Sequence, residues 1–191
     1  MWDVLDARGQ PTGRQVARID DGGDPAGGLH FGESHRVVMV GVFRTTDNNG
    51  VQLLIQHRSP TKITWPSVWD ITAGGSVLAG ETSQDGAMRE LREEVGMVAD
   101  LSHTRPALTV SATKTVYDIY LVGVPAGLDI DQLTFQADEV DEVMWADRET
   151  ILEMITDGRF VAIKPSLVDF VFALYDRPGL QTRSYFLDLD E

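Results

Sequence analysis

The sequence predicts one α/β domain built on a mixed β-sheet flanked by helices, and three observations predict it. Apolar, β-rich runs of strand length recur at residues 35–44 (HRVVMVGVFR), 51–58 (VQLLIQHR) and 115–124. Between them lies a helical segment with Ala87, Leu91 and Val95 on one stripe and Met88 beside it. A chain of 191 residues that is 42% hydrophobic has material for one sizeable core. Strands and helices interspersed in this way bury their apolar faces as a sheet covered by helices.

The elements follow in order. Residues 2–6 and 13–19 read as a short hairpin around ARGQPTG, an N-terminal extension reaching to about residue 30 that ends in the Gly- and Asp-rich loop DDGGDPAGG. The runs at 35–44 and 51–58 are joined by TTDNNG, whose Asn49-Gly50 is a hairpin turn signal. A loop carrying Pro60, Trp65, Pro66 and Trp69 leads to Gly74-Gly75. The helix after it takes Thr82 or Ser83 as its cap, has Asp85 in its first turn and ends at Gly96, which suits a left-handed C′ position. Further strands are expected at 107–111, 115–124 and 142–145, and helices at 148–155 and 166–175.

Charge excludes several function classes. Thirty acidic against sixteen basic side chains give a net charge of −14, a field that repels nucleic-acid polymers and anionic membranes. The chain has no cysteine, which excludes disulfides, thiolate metal sites and a cysteine nucleophile, and suits a reducing compartment. The N-terminus lacks the basic and apolar pattern of a secretory signal, and the longest apolar run, at 37–43, is too short to span a bilayer. A cytoplasmic location without membrane contact is the expectation. A homodimer is compatible with the sequence, which does not fix the oligomeric state.

Within that acidic chain, RELREEVG (89–96) places Glu90, Glu93 and Glu94 three and four residues apart, where like charges repel by a few tenths of a kcal/mol per pair. Carboxylates clustered this way provide oxygen ligands for a hard divalent cation such as Mg²⁺ or Mn²⁺, whose charge offsets the repulsion and bridges an acidic protein to an anionic substrate. A solvated acidic helix face is the bland alternative. It does not require the residues that flank these glutamates at fixed offsets.

Those offsets are specific. GSVLAGETSQDGAMRELREEVGM (75–97) has Gly, five residues, Glu, seven residues, Arg-Glu-aliphatic, one residue, Glu-Glu, one residue, Gly-aliphatic. Gly75, Glu81, Arg89, Glu90, Leu91, Glu93, Glu94, Gly96 and Met97 fill all the specified positions. A chance match in a chain of this length has a probability on the order of 10⁻⁷. The segment resembles the Nudix box. The resemblance implies the Nudix α/β/α sandwich around a mixed sheet, and metal-dependent hydrolysis of the diphosphate linkage in a small nucleoside-diphosphate-type or other diphosphate compound. It also implies Gly75, Glu90, Glu93 and Glu94 as metal ligands, Glu93, Glu90 and Arg89 as catalytic residues, and Arg89 as the group that orients the carboxylates, paired with Glu81. Nudix enzymes often draw a further carboxylate from outside the box, and Glu139, ahead of Glu142, is the nominee.

Upstream, HRSPTKITWPSVWD (57–70) resembles isopentenyl diphosphate isomerase, which shares the Nudix fold. By that resemblance Arg58 and Lys62 hold the substrate diphosphate. The likeness extends to WDVLDARGQPTG, SHRVVM, the spacing from Glu139 to Trp145, and KPSLVDF. The isomerase's cysteine position holds Gly74, however, and its metal-binding histidine two residues on is Ser76, so the acid–base chemistry at an alkene lacks its partners. The expectation is therefore an isomerase-like hydrolase; isomerisation and a non-catalytic ligand-sensing module are the alternatives. His30 and His35 are not nominated as ligands. Trp65 and Trp69 could stack on a base or sugar, but tryptophans beside prolines more often close a core edge.

Overall fold

The run at 35–44 becomes the central strand in a computed structural model that describes residues 1–17, 28–48 and 50–176. In chain order the elements are β1 Trp2–Leu5, β2 Pro11–Val16, β3 His35–Thr45, β4 Val51–Arg58, β5 Trp69–Ile71, β6 Ala73–Ser76, α1 Ser83–Val95, β7 Leu108–Ser111, β8 Thr115–Val124, β9 Val140–Asp147, α2 Arg148–Thr156 and α3 Pro165–Asp176. The main sheet runs β5-β4-β3-β8-β7, with β6 also paired to β3 and β9 to β4. It is mixed because β3 and β8 are parallel while the other pairings are antiparallel. β1 and β2 form a separate two-stranded sheet, bridged to the rest through Leu5 and Ser34.

The period-2 alternation of β3 and β4 builds two cores. Val38, Val40, Val42 and Leu54 face α1, where they enclose Ala87, Leu91 and Val95. Phe43, Leu53 and Ile55 point the other way, against Ile151, Met154 and Phe172 of α2 and α3. The result is the expected three-layer α/β/α arrangement. Leu91 has no solvent exposure, and its burial contributes about 2 kcal/mol. The β1–β2 hairpin keeps a small core of its own: Trp2, Val4, Val16 and Leu29.

Helix α1 starts where its cap chemistry dictates. Thr82 Oγ1 accepts from the Asp85 amide at 3.1 Å and Asp85 accepts in return from the Thr82 amide. At the other end Gly96 adopts φ 68°.

Two short strands were not anticipated in the loop that carries Trp69 and leads to Gly74-Gly75. β5 and β6 are three and four residues long, too short for periodicity to register, and β6 is half glycine. Thr72 between them is fully buried; its hydroxyl accepts from the Val42 amide at 2.9 Å and donates to the Leu54 carbonyl, pinning the crossover from β4 to β3. A 3₁₀ turn at Ile130–Gln132 was likewise not anticipated, and β9 extends beyond the expected 142–145 at both ends. The β3–β4 hairpin closes through the Thr46 amide and Gly50 carbonyl at 2.8 Å. Asn49 lies outside the described residues, as do residues 18–19 of the expected second strand and most of the DDGGDPAGG loop. Among the described residues no helix is long and apolar enough to cross a membrane.

Gly96 is doubly constrained. Its left-handed φ disfavours any side chain, and a Cβ there would lie 2.7 Å from the Thr134 carbonyl. Gly96→Ala is therefore expected to destabilise the fold by about 2 kcal/mol, read as a lowered denaturant midpoint at unchanged slope. An unchanged midpoint would show that this contact does not hold the end of α1.

Candidate active site

Glycine at position 75 leaves room for a carboxylate on the strand. A Cβ there would fall on the carboxylate end of Glu90, so the bare backbone of β6 gives that group its seat. A cleft of about 420 Å³ opens at this junction. Gly75, Glu90, Glu93, Glu94, Arg89, Arg58, Lys62 and Glu139, which were nominated from the sequence, all border it.

Arg89 organises one side. Its guanidinium forks onto Glu81, Nε to Oε1 at 2.8 Å and Nη2 to Oε2 at 3.0 Å, while Nη2 also reaches the Ser76 carbonyl at 3.0 Å. Nη1 donates to Glu90 Oε1 at 2.8 Å and Glu93 Oε2 at 3.2 Å. Glu81 also accepts from the Leu78 amide at 2.9 Å, so it ties the loop ahead of α1 to the helix. The Arg89 bond holds the Glu81 carboxyl below the usual range. Burial pushes Glu90 up despite Arg89.

Glu94 is more deeply buried than Glu90 and Glu93. It is 4% exposed, and its Oε2 accepts from Gln56 Nε2 at 2.9 Å and from the Gly74 amide at 3.0 Å. The helical period explains this, since position 94 falls three residues after buried Leu91 and beside Val95. Burial, then the nearby Glu90 charge, push the Glu94 carboxyl up to about 7.

The opposite side is held by loops. Lys62 forms an ion pair with Glu139, so the two residues nominated for phosphate and metal meet each other. The Ser59 amide donates to the Glu139 carbonyl at 2.9 Å, and Thr61 Oγ1 to the Asp138 carbonyl at 3.3 Å. Arg58, the other residue nominated for phosphate, borders the cleft with its guanidinium engaged by its own loop. Only 9% exposed, it donates to Asp70 at 3.0 Å and to the Thr64 and Trp65 carbonyls at 2.9 and 3.0 Å, and so braces the loop that carries Lys62. The brace holds Trp65 at φ 53°, a backbone conformation unusual for a bulky residue, and leaves its ring about half exposed. Trp69, in contrast, packs into the second core and meets His57 edge-on.

The donor set fits a hard divalent cation. The hydrogen bonds named above use Oε1 of Glu90 and Oε2 of Glu93 and Glu94, carboxylate oxygens are the donors such a cation prefers, and no thiolate competes. No three His, Asp or Glu side chains among the described residues already stand in ligand geometry; Arg89, Lys62 and Gln56 instead hold the carboxylates. His35 is buried and stacks on Trp2 at 4.1 Å, and exposed Glu142 does not border the cleft. Sequence reasoning missed Gln56, although a glutamine inside the apolar run VQLLIQHR was the available signal. It also missed Met1 and Trp2, which border the cleft from the N-terminal hairpin.

Residues 35–165 match the NUDIX domain family. The chain belongs to the Nudix family. It is 34% identical over 160 residues to an uncharacterised Nudix hydrolase of Listeria innocua, covering 84% of this chain and 87% of the relative. It is 27% identical over 181 residues to the isopentenyl-diphosphate Delta-isomerase of Klebsiella pneumoniae, covering 85% and 98%. A solved structure from Deinococcus radiodurans superposes with a TM-score of 0.65 over 91% of this chain and 98% of that one, at 23% identity. The family's members similar to this chain thus include both Nudix hydrolases and isopentenyl-diphosphate isomerases.

Buried Glu94 gives this Nudix site a pH signature. Unfolded, its carboxyl loses its proton near 4.5; folded, it keeps it to about 7, so its ionisation erodes the stability of the metal-free protein as pH rises from 4.5 to 7. In Glu94→Gln the side-chain carbonyl can accept both bonds now made to Oε2, with nothing to ionise. With chelator present, the variant should melt several degrees above wild type at pH 8, with the gap closing towards pH 4.5. A gap independent of pH would contradict the assignment.

Proposed function

We propose that this Nudix protein hydrolyses the diphosphate linkage of a small organic diphosphate, nucleoside-diphosphate-type or other, with Mg²⁺ or Mn²⁺ as cofactor. One observation carries the reading: the carboxylates of Glu90, Glu93, Glu94 and Glu139 border one cleft together with Lys62. Glu90, Glu93, Glu94 and Glu139 would hold the cation, joined by the Gly75 carbonyl. Such a cation supplies positive charge to phosphoryl oxygens and makes water a stronger acid.

The chain's own residues divide the remaining work. Lys62 binds a phosphate, and Arg58 holds its loop in place. Arg89, fixed by Glu81 and Ser76, sets the orientation of Glu90 and Glu93. Glu93, at 44% side-chain exposure against 13% for Glu90, is the carboxylate open to water and serves as general base. The isomerase-like relatives make alkene isomerisation the second reading. Gly74 and Ser76 at the isomerase's cysteine and histidine positions, in a chain without cysteine, argue against it.

The test is release of phosphate or monophosphate from nucleotides, dinucleotides, nucleotide sugars and prenyl diphosphates. Turnover should require Mg²⁺ or Mn²⁺, stop with EDTA and fall by about 10²-fold or more when Glu93→Gln and Glu94→Gln are combined. Turnover across no member of the panel, or a double variant as active as wild type, would refute the reading. Conversion of isopentenyl to dimethylallyl diphosphate would favour the isomerase, and tight binding without chemistry a sensing module.

A further inference from the structure

Part of the cleft wall comes from outside the matched segment 35–165: Met1 and Trp2 of the N-terminal hairpin border the cleft, beside Leu78, which lies within the segment in the loop ahead of α1. Several ties fix this wall relative to the glutamates. The Met1 carbonyl accepts from the Ala79 amide at 3.0 Å, and Asp3 Oδ2 accepts from the Gly80 amide at 2.9 Å. Trp2 stacks flat on His35, the first residue of β3, with 8° between the rings. The loop that receives these bonds is the one Glu81 locks to Arg89. The hairpin is therefore seated on the same brace that aligns Glu90 and Glu93.

The Met1 and Leu78 side chains on this wall do not suit phosphate. Met1 is 60% and Leu78 42% exposed, and their side chains offer neither charge nor a hydrogen-bond donor. One exposed leucine is ordinary. Two large apolar side chains on one wall of a cleft lined mostly by polar and charged residues are apolar surface placed where a ligand would cover it.

We infer that Leu78, with Met1 and the edge of Trp2, contacts the organic group joined to the diphosphate and is a specificity-determining residue. The substrate is then a diphosphate ester whose organic group turns an apolar or aromatic face to this wall, in preference to inorganic diphosphate or a longer phosphate chain. The inference rests on the diphosphate reading proposed above. Asp3 is a positioning residue for the wall, acting through the Gly80 amide.

Non-hydrolysable analogues separate the two. With Mn²⁺ present, calorimetry compares methylenediphosphonate with α,β-methylene-ADP and geranyl methylenediphosphonate on wild type, Leu78→Ser and Asp3→Ala. Wild type should bind at least one organic analogue about tenfold tighter than methylenediphosphonate. Leu78→Ser should remove most of that advantage, about five- to tenfold, and leave methylenediphosphonate affinity within about twofold. Asp3→Ala, which keeps Leu78 but unseats the wall, should shift affinities in the same direction. An organic advantage that survives Leu78→Ser, its absence from wild type, or equal losses for all three compounds would overturn the inference while the diphosphate reading stands. If none of the three binds, the diphosphate reading fails and the inference with it.

Discussion

The structure of the site depends on one cation, the guanidinium of Arg89. Its fork onto Glu81 and its bond to the Ser76 carbonyl anchor it to the loop and strand ahead of α1, and the remaining nitrogen is shared between Glu90 and Glu93. Without it, three carboxylates would crowd a partly buried surface with no internal compensation. Planarity matters as much as charge, since only a fork can satisfy Glu81 with two nitrogens and still reach two more carboxylates. The glycine at position 75 is the steric counterpart, because it removes the atom that would collide with Glu90.

Around that centre the protein divides its negative charge by burial. Glu93 keeps substantial contact with water, Glu90 keeps little, and Glu94 is sealed between Gln56 and the Gly74 amide. Burial raises Glu90 and Glu94, so the metal-free site lowers its own repulsion by making ionisation harder, while Lys62 neutralises Glu139 across the cleft. A divalent cation would exchange these internal partners for one stronger one. On the proposed function, that exchange would let a chain of net charge −14 hold an anionic substrate where its average field repels one.

Much of this was legible in the sequence, for identifiable reasons. Helix α1 could be read because its signals are local: a cap at Thr82, a left-handed stop at Gly96, and Leu91 at helical spacing between them. The box residues were legible because their chemistry requires fixed offsets on one helix and its lead-in loop. β5 and β6 escaped because a buried threonine and cross-strand pairing, not propensity, make them strands. The brace on Arg58 depends on Asp70 across a loop, the Lys62–Glu139 pair spans 77 residues, and Asp3 meets Gly80 across the same distance. No periodicity reports such contacts. The burial of Glu94 lay within reach, since its offset from Leu91 places it at the edge of the apolar stripe, but its charge argued the other way.

The central claim is that these carboxylates gather one or more hard cations at the cleft. Anomalous X-ray diffraction from crystals soaked in Mn²⁺ tests it most directly. The account predicts an anomalous peak about 2.1–2.3 Å from carboxylate oxygens of Glu90, Glu93 and Glu94, with the Arg89–Glu81 fork intact. A peak elsewhere, or none at saturating Mn²⁺, would contradict it.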